Sequence, residues 1–208
     1  MGDFLRSQPA KFICSPLNSL EESWFLPLNP SKLFESGQDP KLQAWEIKKN
    51  STEFLIWKKE VGRHLLVFYG ASKGNPGKAG GGGLFDPGGN LIWKFSWGLG
   101  VETNNVAEAL ALWQGLSQAS HLGITDLTVV GDSILIIQVV ITRNLPPSCH
   151  LKQVMKHILA LLPKFSDIGF YHVLRAHNGI ADQATNESFS LSKGSLKLNN
   201  ALSLCLFP

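Results

Sequence analysis

The chain of 208 residues is predicted to form an α/β layered domain, in which helices pack on a mixed β-sheet. Three observations predict this class. From residue 63 onwards, strand and helix patterns follow one another in the order β-β-β-α-β-α-α-β-α. Residues 127–130 are mainly apolar and β-branched, as is typical of a strand inside a sheet. Hydrophobic residues make up 44% of the chain and charged residues 17%, a balance that supports a packed core.

The first three strands are predicted to form an antiparallel meander. A β-prone run over residues 64–68 is closed by the turn signal Gly74-Asn75-Pro76-Gly77. The chain resumes over residues 79–85, then turns at residues 86–90 into a strand over residues 91–99. Four successive glycines make the second strand weak by propensity, which predicts that a helix or a nucleic-acid backbone packs closely on it.

The first helix is predicted to run from the capping residues Thr103, Asn104 and Asn105 to about Leu122, with Gly123 ending it. Its apolar residues recur with helical spacing and are Val106, Ala109, Leu110, Trp113 and Leu116. After the central strand, Asp132 and Ser133 are predicted to cap a second helix over residues 134–141. Three further elements complete the order: a helix over residues 150–162, a strand over residues 168–173 and a short helix opened by Asp182.

Turn residues and charge divide the chain into three predicted parts. Residues 1–62 hold five prolines, and their eight basic and eight acidic residues cancel, so we predict an irregular segment or linker there. Residues 63–190 form the predicted domain, and residues 191–208 a tail. The net charge of +3 lies entirely in residues 63–208, a mild excess that permits a polyanionic partner without requiring one.

The cysteines and the apolar runs bear on the compartment. Cys14, Cys149 and Cys205 form no CxxC pair, which favours a reducing compartment. No run reaches the ~18 apolar residues of a membrane span, and the first residues lack a secretory apolar run. We therefore expect a soluble, intracellular protein with no membrane partner, and the sequence does not distinguish nucleus from cytoplasm.

Three carboxylates stand at the ends of predicted elements that are far apart in the sequence. Glu108 is expected in the first turn of the first helix, Asp132 follows the central strand, and Asp182 begins the last helix. Converging carboxylates bind Mg²⁺ or Mn²⁺, and such ions serve phosphoryl transfer. Each acid also fits a capping or helix-dipole role, so the pattern alone leaves both interpretations open.

Four sequence blocks carry a more specific signal than any single motif. In chain order they read YGASKGNPG from Tyr69, TNNVAE from Thr103, VGDS from Val130 and HVLRAHNGIAD from His172. Over about residues 63–190 these blocks resemble ribonuclease H (RNase H), in its plant retroelement-type branch. The resemblance implies an RNase H-like fold, with a mixed five-stranded sheet and helices on both faces. It also implies Mg²⁺-dependent endonucleolytic cleavage of the RNA strand of an RNA–DNA hybrid.

Carried over residue by residue, the resemblance makes Glu108, Asp132 and Asp182 catalytic ligands of a two-ion Mg²⁺ or Mn²⁺ site. The fourth expected carboxylate is missing, because active members have Asp in the first strand where this chain has Tyr69. A neutral phenol with a reference pKa of ~10 is a poor Mg²⁺ ligand, and its ring is larger than a carboxylate. We therefore expect cleavage to be reduced roughly a thousandfold or more, or to be absent.

The resemblance also suggests roles for residues around these acids. His177 corresponds to a histidine that helps product leave in some members, with a solvated loop histidine as the alternative. Asn75, Asn104 and Asn105 lie in loops that contact RNA 2′-hydroxyl groups in the family, although turn and cap roles fit them equally.

Basic and aromatic residues complete the candidate set. Ser72, Lys73 and Arg175 are candidate contacts to phosphates, with ordinary surface groups as the alternative. Three tryptophans fit base stacking, but their strand and helix positions favour the core. They are Trp93, Trp97 and Trp113.

The sequence leaves three functional hypotheses open. The first is an RNase H-type nuclease domain whose activity Tyr69 impairs. The second is a non-catalytic module that binds RNA–DNA hybrid or other nucleic acid, and the third is a decayed retroelement fragment. Tyr69 points to the second or the third. No obligate protein partner is evident from the sequence.

Overall fold

The computed structural model describes residues 44–47, 56–57, 59–60, 62–72, 80–175 and 179–200, and seven of its segments form one mixed β-sheet. The strands are β1 (Ala44–Ile47), β2 (His64–Gly70), β3 (Gly80–Phe85), β4 (Leu91–Trp97), β5 (Asp126–Gly131), β6 (Asp167–Val173) and β7 (Leu196–Asn200). Their order across the sheet is β1-β6-β5-β2-β3-β4-β7. The four strands from β1 to β2 in that order run parallel, and β3, β4 and β7 are antiparallel to their neighbours.

The sheet has two strands more than the five predicted. β2, β3 and β4 form the predicted antiparallel meander, and the turn at residues 86–90 is present. The predicted turn from Gly74 to Gly77 lies outside the described residues. The two additional strands come from outside residues 63–190: β1 pairs with β6 at one edge, and β7 pairs with β4 at the other. Both strands are too short to show a period in the sequence, and they form by adding to an existing sheet edge, which supplies backbone partners.

Four α-helices lie after β4 in the described part of the chain: α1 (Asn104–His121), α2 (Ile134–Thr142), α3 (Cys149–Leu161) and α4 (Gly179–Ser188). Residues 56–57 and 59–60 are also helical. The Thr103 hydroxyl caps α1 by accepting a hydrogen bond from the N–H of Val106 at 3.4 Å. None of the helices in the described part of the chain has the length and apolar character needed to cross a membrane.

Two helix starts differ from the sequence prediction. α1 begins at Asn104, so Glu108 is its fifth residue and lies beyond the first turn rather than in it. α4 begins at Gly179 instead of Asp182, because residues 179–181 already form the first turn of the helix. Both acids therefore lie inside a helix, and neither is its first residue.

The helices lie on both faces of the sheet, as predicted. α1, α2 and α3 cover one face through a large apolar cluster that includes Phe68, Phe95 and Phe170. α4 packs on β2, β3 and β4 from the other face. A Cβ atom on Gly81 of β3 would lie only 2.8 Å from the carbonyl carbon of Ala184 in α4. The close approach of a helix that the glycine run predicts is therefore confirmed.

The tryptophans of β4 belong to the core. Trp93 and Trp97 are buried in the larger apolar cluster, which confirms the interpretation favoured from the sequence. Trp113 of α1 is half-buried and packs against that cluster, with its ring centroid 6.0 Å from that of Trp97.

Glu187 fastens α4 to the sheet through two lysines. Lys94 Nζ lies 2.6 Å from Glu187 Oε1, and Lys197 Nζ lies 3.3 Å from Oε2. Partial burial by itself raises the pKa of Glu187, but the hydrogen bonds and charges of the two lysines outweigh it, so the pKa is lowered. Such a carboxylate stabilises the fold above its unfolded pKa of ~4.3 and loses that contribution as the pH falls through the folded pKa.

We expect Glu187→Gln to lower the free energy of unfolding by about 1 kcal/mol at neutral pH, and by progressively less as the pH falls below about 5. Chemical denaturation of both proteins at neutral pH and at about pH 4 measures the difference. Asp167→Asn is the matched control, because it breaks an exposed 2.8 Å ion pair with Arg63 and should cost less than about 0.5 kcal/mol. A Glu187→Gln effect of equal size at both pH values would contradict the assignment.

Candidate functional site

A cleft of about 380 Å³ opens where β2 and β5 end and where the chain leaves β6. These three strands are parallel, so their carboxyl ends meet at one edge of the sheet. α1 and α4 approach this edge from opposite faces. Besides Tyr69, six of the residues predicted from the sequence line the cleft: Ser72, Asn104, Asn105, Glu108, Asp132 and Arg175.

Glu108 is a buried acid in the wall of the cleft. It is 8% exposed, and its Oε2 accepts a hydrogen bond from the N–H of Gly70 at 2.9 Å. This approach requires glycine, because a Cβ atom at position 70 would lie 2.1 Å from the backbone of α1. Burial raises the pKa of Glu108 well above its usual range, and the charge of Asp132 raises it further, against the opposing effects of Gly70 and Arg175. Both acids line the same cleft, and the negative charge of Asp132 disfavours a second charge on Glu108.

Asp132 follows the last residue of β5 and lines the cleft. Of the two residues predicted to cap α2, Ser133 occupies the N-cap position, although its side chain makes no capping hydrogen bond, and Asp132 precedes it. The backbone carbonyl of Asp132 lies 3.2 Å from Nε2 of His172, one strand away on β6. His172 therefore helps to fix the end of β5 that carries the acid.

Tyr69 lies at the position where the resemblance expects a catalytic aspartate. It is 4% exposed and packs in the smaller apolar cluster with Val130 and Val173. The hydroxyl of Thr185 in α4 donates a hydrogen bond to the Tyr69 carbonyl at 3.1 Å. The guanidinium carbon of Arg175 lies 5.0 Å from the centroid of the Tyr69 ring, within the range of a cation–π interaction. The tyrosine therefore holds a cation at the edge of the cleft.

Asn104 fixes the loop that follows β2. Its Oδ1 accepts a hydrogen bond from the N–H of Ser72 at 2.7 Å. Both Asn104 and Asn105 are exposed and line the cleft. Asn104 therefore stabilises the turn after β2, as one of its two predicted roles requires. Because its side chain is also exposed, it can contact a ligand in the cleft as well.

For four predicted site residues the structure describes no side chain. Lys73, Asn75 and His177 lie outside the described residues, and for Asp182 only the backbone position within α4 is described.

Three further residues line the cleft and are not among those predicted from the sequence: Thr185, Asn186 and Phe189. They stand three, four and seven residues after Asp182, which is the spacing of one helix face. From that spacing, the three residues could be predicted to lie on the same side of the helix as Asp182. His172 had no such signal, since its contact depends on strand register.

The described side chains supply only part of the two-ion site that the resemblance implies. They supply two carboxylates, those of Glu108 and Asp132. At the position of the expected first aspartate they supply the Tyr69 ring and a guanidinium over it, neither of which is a ligand for Mg²⁺. No group of three or more His, Cys, Asp and Glu side chains suited to a metal ion occurs among the described residues.

Comparison with known proteins gives a consistent result. The model of the reverse transcriptase-like family matches residues 68–188, more than half of the chain. A ribonuclease HI of Halobacterium salinarum is 35% identical over 135 residues, which are 61% of this chain and 64% of that protein. A bifunctional protein of Mycobacterium tuberculosis is 33% identical over 121 residues, which are 57% of this chain and 33% of that protein. The chain therefore spans less than two thirds of these relatives.

Solved structures match a similar share of the chain. The crystal structure of RNase H1 from Halobacterium salinarum is 34% identical, with a TM-score of 0.58, and the match covers 61% of this chain and 97% of that one. LC11-RNase H1 in complex with RNA/DNA hybrid is 27% identical, with a TM-score of 0.57, and the match covers 61% of this chain and 96% of that one. From its family match, its relatives and its fold, the chain belongs to the RNase H family.

Proposed function

We propose that the chain is an RNase H-type domain that binds RNA–DNA hybrid in this cleft and in which Mg²⁺-dependent cleavage of the RNA strand is impaired. The observation that carries the proposal is the buried Tyr69 ring beneath Arg175, at the position where active members have a carboxylate. The RNase H family is generally dependent on divalent metal ions, so the loss of one ligand position bears directly on cleavage.

The hybrid is the best-supported ligand. LC11-RNase H1 holds RNA/DNA hybrid in its solved structure, and its match covers 61% of this chain. The cleft presents a guanidinium from Arg175 and exposed amides from Asn104 and Asn105, which are groups that contact phosphates and sugar hydroxyls. Phosphate contacts supply most of the affinity of such complexes and are separate from metal ligation. Binding is therefore expected to survive the substitution at position 69.

Within this proposal, three acids keep their candidate catalytic and metal-binding roles. Glu108 and Asp132 share the cleft, and Asp182 lies in α4, the helix that supplies other residues of the cleft wall. His177 keeps its candidate role in product release, and Lys73 and Asn75 keep theirs in nucleic-acid binding. These residues retain much of the surface proposed to contact nucleic acid. The carboxylate expected to bind both metal ions is missing, because Tyr69 occupies its position.

We expect the purified protein to retard a labelled RNA–DNA hybrid at low salt and to cleave it with Mg²⁺ at a rate roughly a thousandfold or more below that of an intact family member. A gel-shift measurement and a cleavage time course check the two parts separately. Glu108→Gln serves as the blank for contaminating nuclease. Cleavage near the rate of an intact member would contradict the proposed impairment.

Tyr69 also favours a second candidate function, a module that grips hybrid or duplex nucleic acid and has lost cleavage altogether. A protein that binds hybrid but gains no activity when a carboxylate is restored at position 69 would support this candidate. Absence of retardation at low salt would remove both candidates and favour a decayed retroelement fragment. An origin in a plant retroelement is part of the same proposal and rests on the resemblance of the four sequence blocks.

A further inference from the structure

We infer that the α4 wall of the cleft, formed by Asn186 and Phe189, holds an unpaired base, so that the chain binds an RNA–DNA hybrid with a single-stranded end more tightly than a blunt one. The inference rests on the proposed function, which is binding of hybrid in this cleft. It adds the form of nucleic acid that fills the part of the cleft beside α4.

Phe189 brings an aromatic ring to the wall of the cleft. It follows the last residue of α4, is half-buried and lines the cleft. Neither of the two apolar clusters of the described residues includes it. Ala184 and Thr185 are buried instead, and they hold α4 against β3 and β2 through Gly81 and the Tyr69 carbonyl. The residues that fix α4 on the sheet are therefore distinct from the ring in the cleft wall.

Asn186 places an amide beside this ring. Residues 186 and 189 are three apart, which makes them neighbours on one helix face. Asn186 is exposed and lines the cleft, and its amide offers both hydrogen-bond donors and an acceptor. A ring for the face of a base and an amide for its edge are groups with which proteins hold single-stranded bases.

A base inside a duplex cannot use this wall. Each paired base is stacked between its neighbours, so a protein reaches only the groove edges and the backbone. An unpaired base exposes its faces, and stacking on aromatic side chains is therefore typical of single-strand recognition. The ring of Phe189 thus favours a base at an unpaired end of the hybrid.

The size and the charge of the cleft suit such a base. Its volume of about 380 Å³ falls within the range of roughly 300–1,000 Å³ that is usual for small-ligand sites. Tyr69 lies under the α4 wall, because the Thr185 hydroxyl donates a hydrogen bond to its carbonyl. Its neutral ring lines the cleft where an aspartate would add a third negative charge. A neutral, ring-bearing wall is a better surface for an uncharged base than for an ion.

Fluorescence anisotropy tests the inference with three labelled hybrids in EDTA. One is blunt, one has three unpaired nucleotides at the end of its RNA strand, and one has the same overhang built from abasic nucleotides. The abasic overhang supplies the added phosphates without bases. We expect the wild type to bind the base-carrying overhang roughly tenfold more tightly than the abasic one, the effect of one stacked base.

Three variants examine the wall itself. Phe189→Leu keeps an apolar side chain without the ring, so it should lose this preference while its affinity for the blunt hybrid stays within about twofold of the wild type. Phe189→Tyr keeps a ring and should keep the preference. Asn186→Ala alters an exposed position and should lower the preference about threefold, because one hydrogen bond to the base edge is lost.

Leu122→Ala is the matched control, since it truncates an exposed apolar side chain beyond the far end of α1, about 27 Å from Asn104. It should leave every affinity within about twofold of the wild type. Equal binding of the base-carrying and abasic overhangs by the wild type would overturn the inference, as would an unchanged preference in Phe189→Leu. Failure of the wild type to bind any of the three hybrids at low salt is a different result, which would overturn the proposed function itself.

Discussion

Tyr69→Asp is expected to raise Mg²⁺-dependent cleavage of an RNA–DNA hybrid roughly a thousandfold or more above the wild-type rate. The substitution returns a carboxylate to the cleft beside Glu108 and Asp132 and removes the ring that supports Arg175. A ligand shared by two ions contributes several kcal/mol of transition-state stabilisation, and each ~1.4 kcal/mol is a factor of ten in rate. Single-turnover cleavage of a labelled hybrid, with Mg²⁺ and with EDTA, measures the gain.

Two matched variants separate this effect from a simple change of size. Tyr69→Asn has the shape of the aspartate without its charge, so it should stay at the wild-type rate. Tyr69→Asp combined with Glu108→Gln should lose the gain, because it removes a neighbouring candidate ligand. Tyr69 is buried, and its truncation is expected to cost about 3 kcal/mol of stability, so each variant is assayed below its unfolding temperature. A folded Tyr69→Asp protein that binds hybrid but does not cleave it would show that the remaining acids are misaligned.

Gly70→Ala is expected to lower the free energy of unfolding by about 3 kcal/mol. The added Cβ atom would lie 2.1 Å from the Ala107 carbonyl carbon and from the backbone nitrogen of Glu108, both in the backbone of α1. A helix backbone has no rotamer with which to avoid the clash, so α1 must move away from β2. That movement also breaks the 2.9 Å hydrogen bond from Gly70 to Glu108 and widens the cleft.

Urea denaturation compares Gly70→Ala with Gly88→Ala as its control. Gly88 lies in the exposed turn between β3 and β4, and a Cβ atom there would meet nothing nearer than 3.3 Å. The control is expected to stay within about 0.5 kcal/mol of the wild type. Equal stabilities of the two variants would contradict the close packing of α1 on β2.

Local signals in the sequence account for most of the fold. The Thr103 cap, the helical spacing after it and the turn at residues 86–90 are properties of neighbouring residues, and each appears in the structure as predicted. β1 and β7 carry no such signal, because a short edge strand is defined by the sheet it joins. For this reason the sequence predicts five strands where the structure has seven.

The sequence predicts which residues belong to the candidate site, but it does not predict the contacts between them. Resemblance to the RNase H family selected Glu108 and Asp132, and both line the cleft. The contact of the Arg175 guanidinium with the Tyr69 ring joins residues from β2 and from the segment after β6, and no periodicity relates them. The contact of His172 with the carbonyl of Asp132 likewise depends on the parallel register of β5 and β6. Such contacts arise only when the strands are paired.

We propose that the cleft binds hybrid and that Tyr69 impairs cleavage of its RNA strand. The most direct test incubates the wild-type protein with labelled RNA–DNA hybrid and Mg²⁺, and measures retardation and RNA integrity on the same sample. We expect a retarded complex whose RNA strand stays intact over times at which an intact family member cuts it completely. RNA cut at a rate near that of the intact member, with the Glu108→Gln blank inactive, would contradict it.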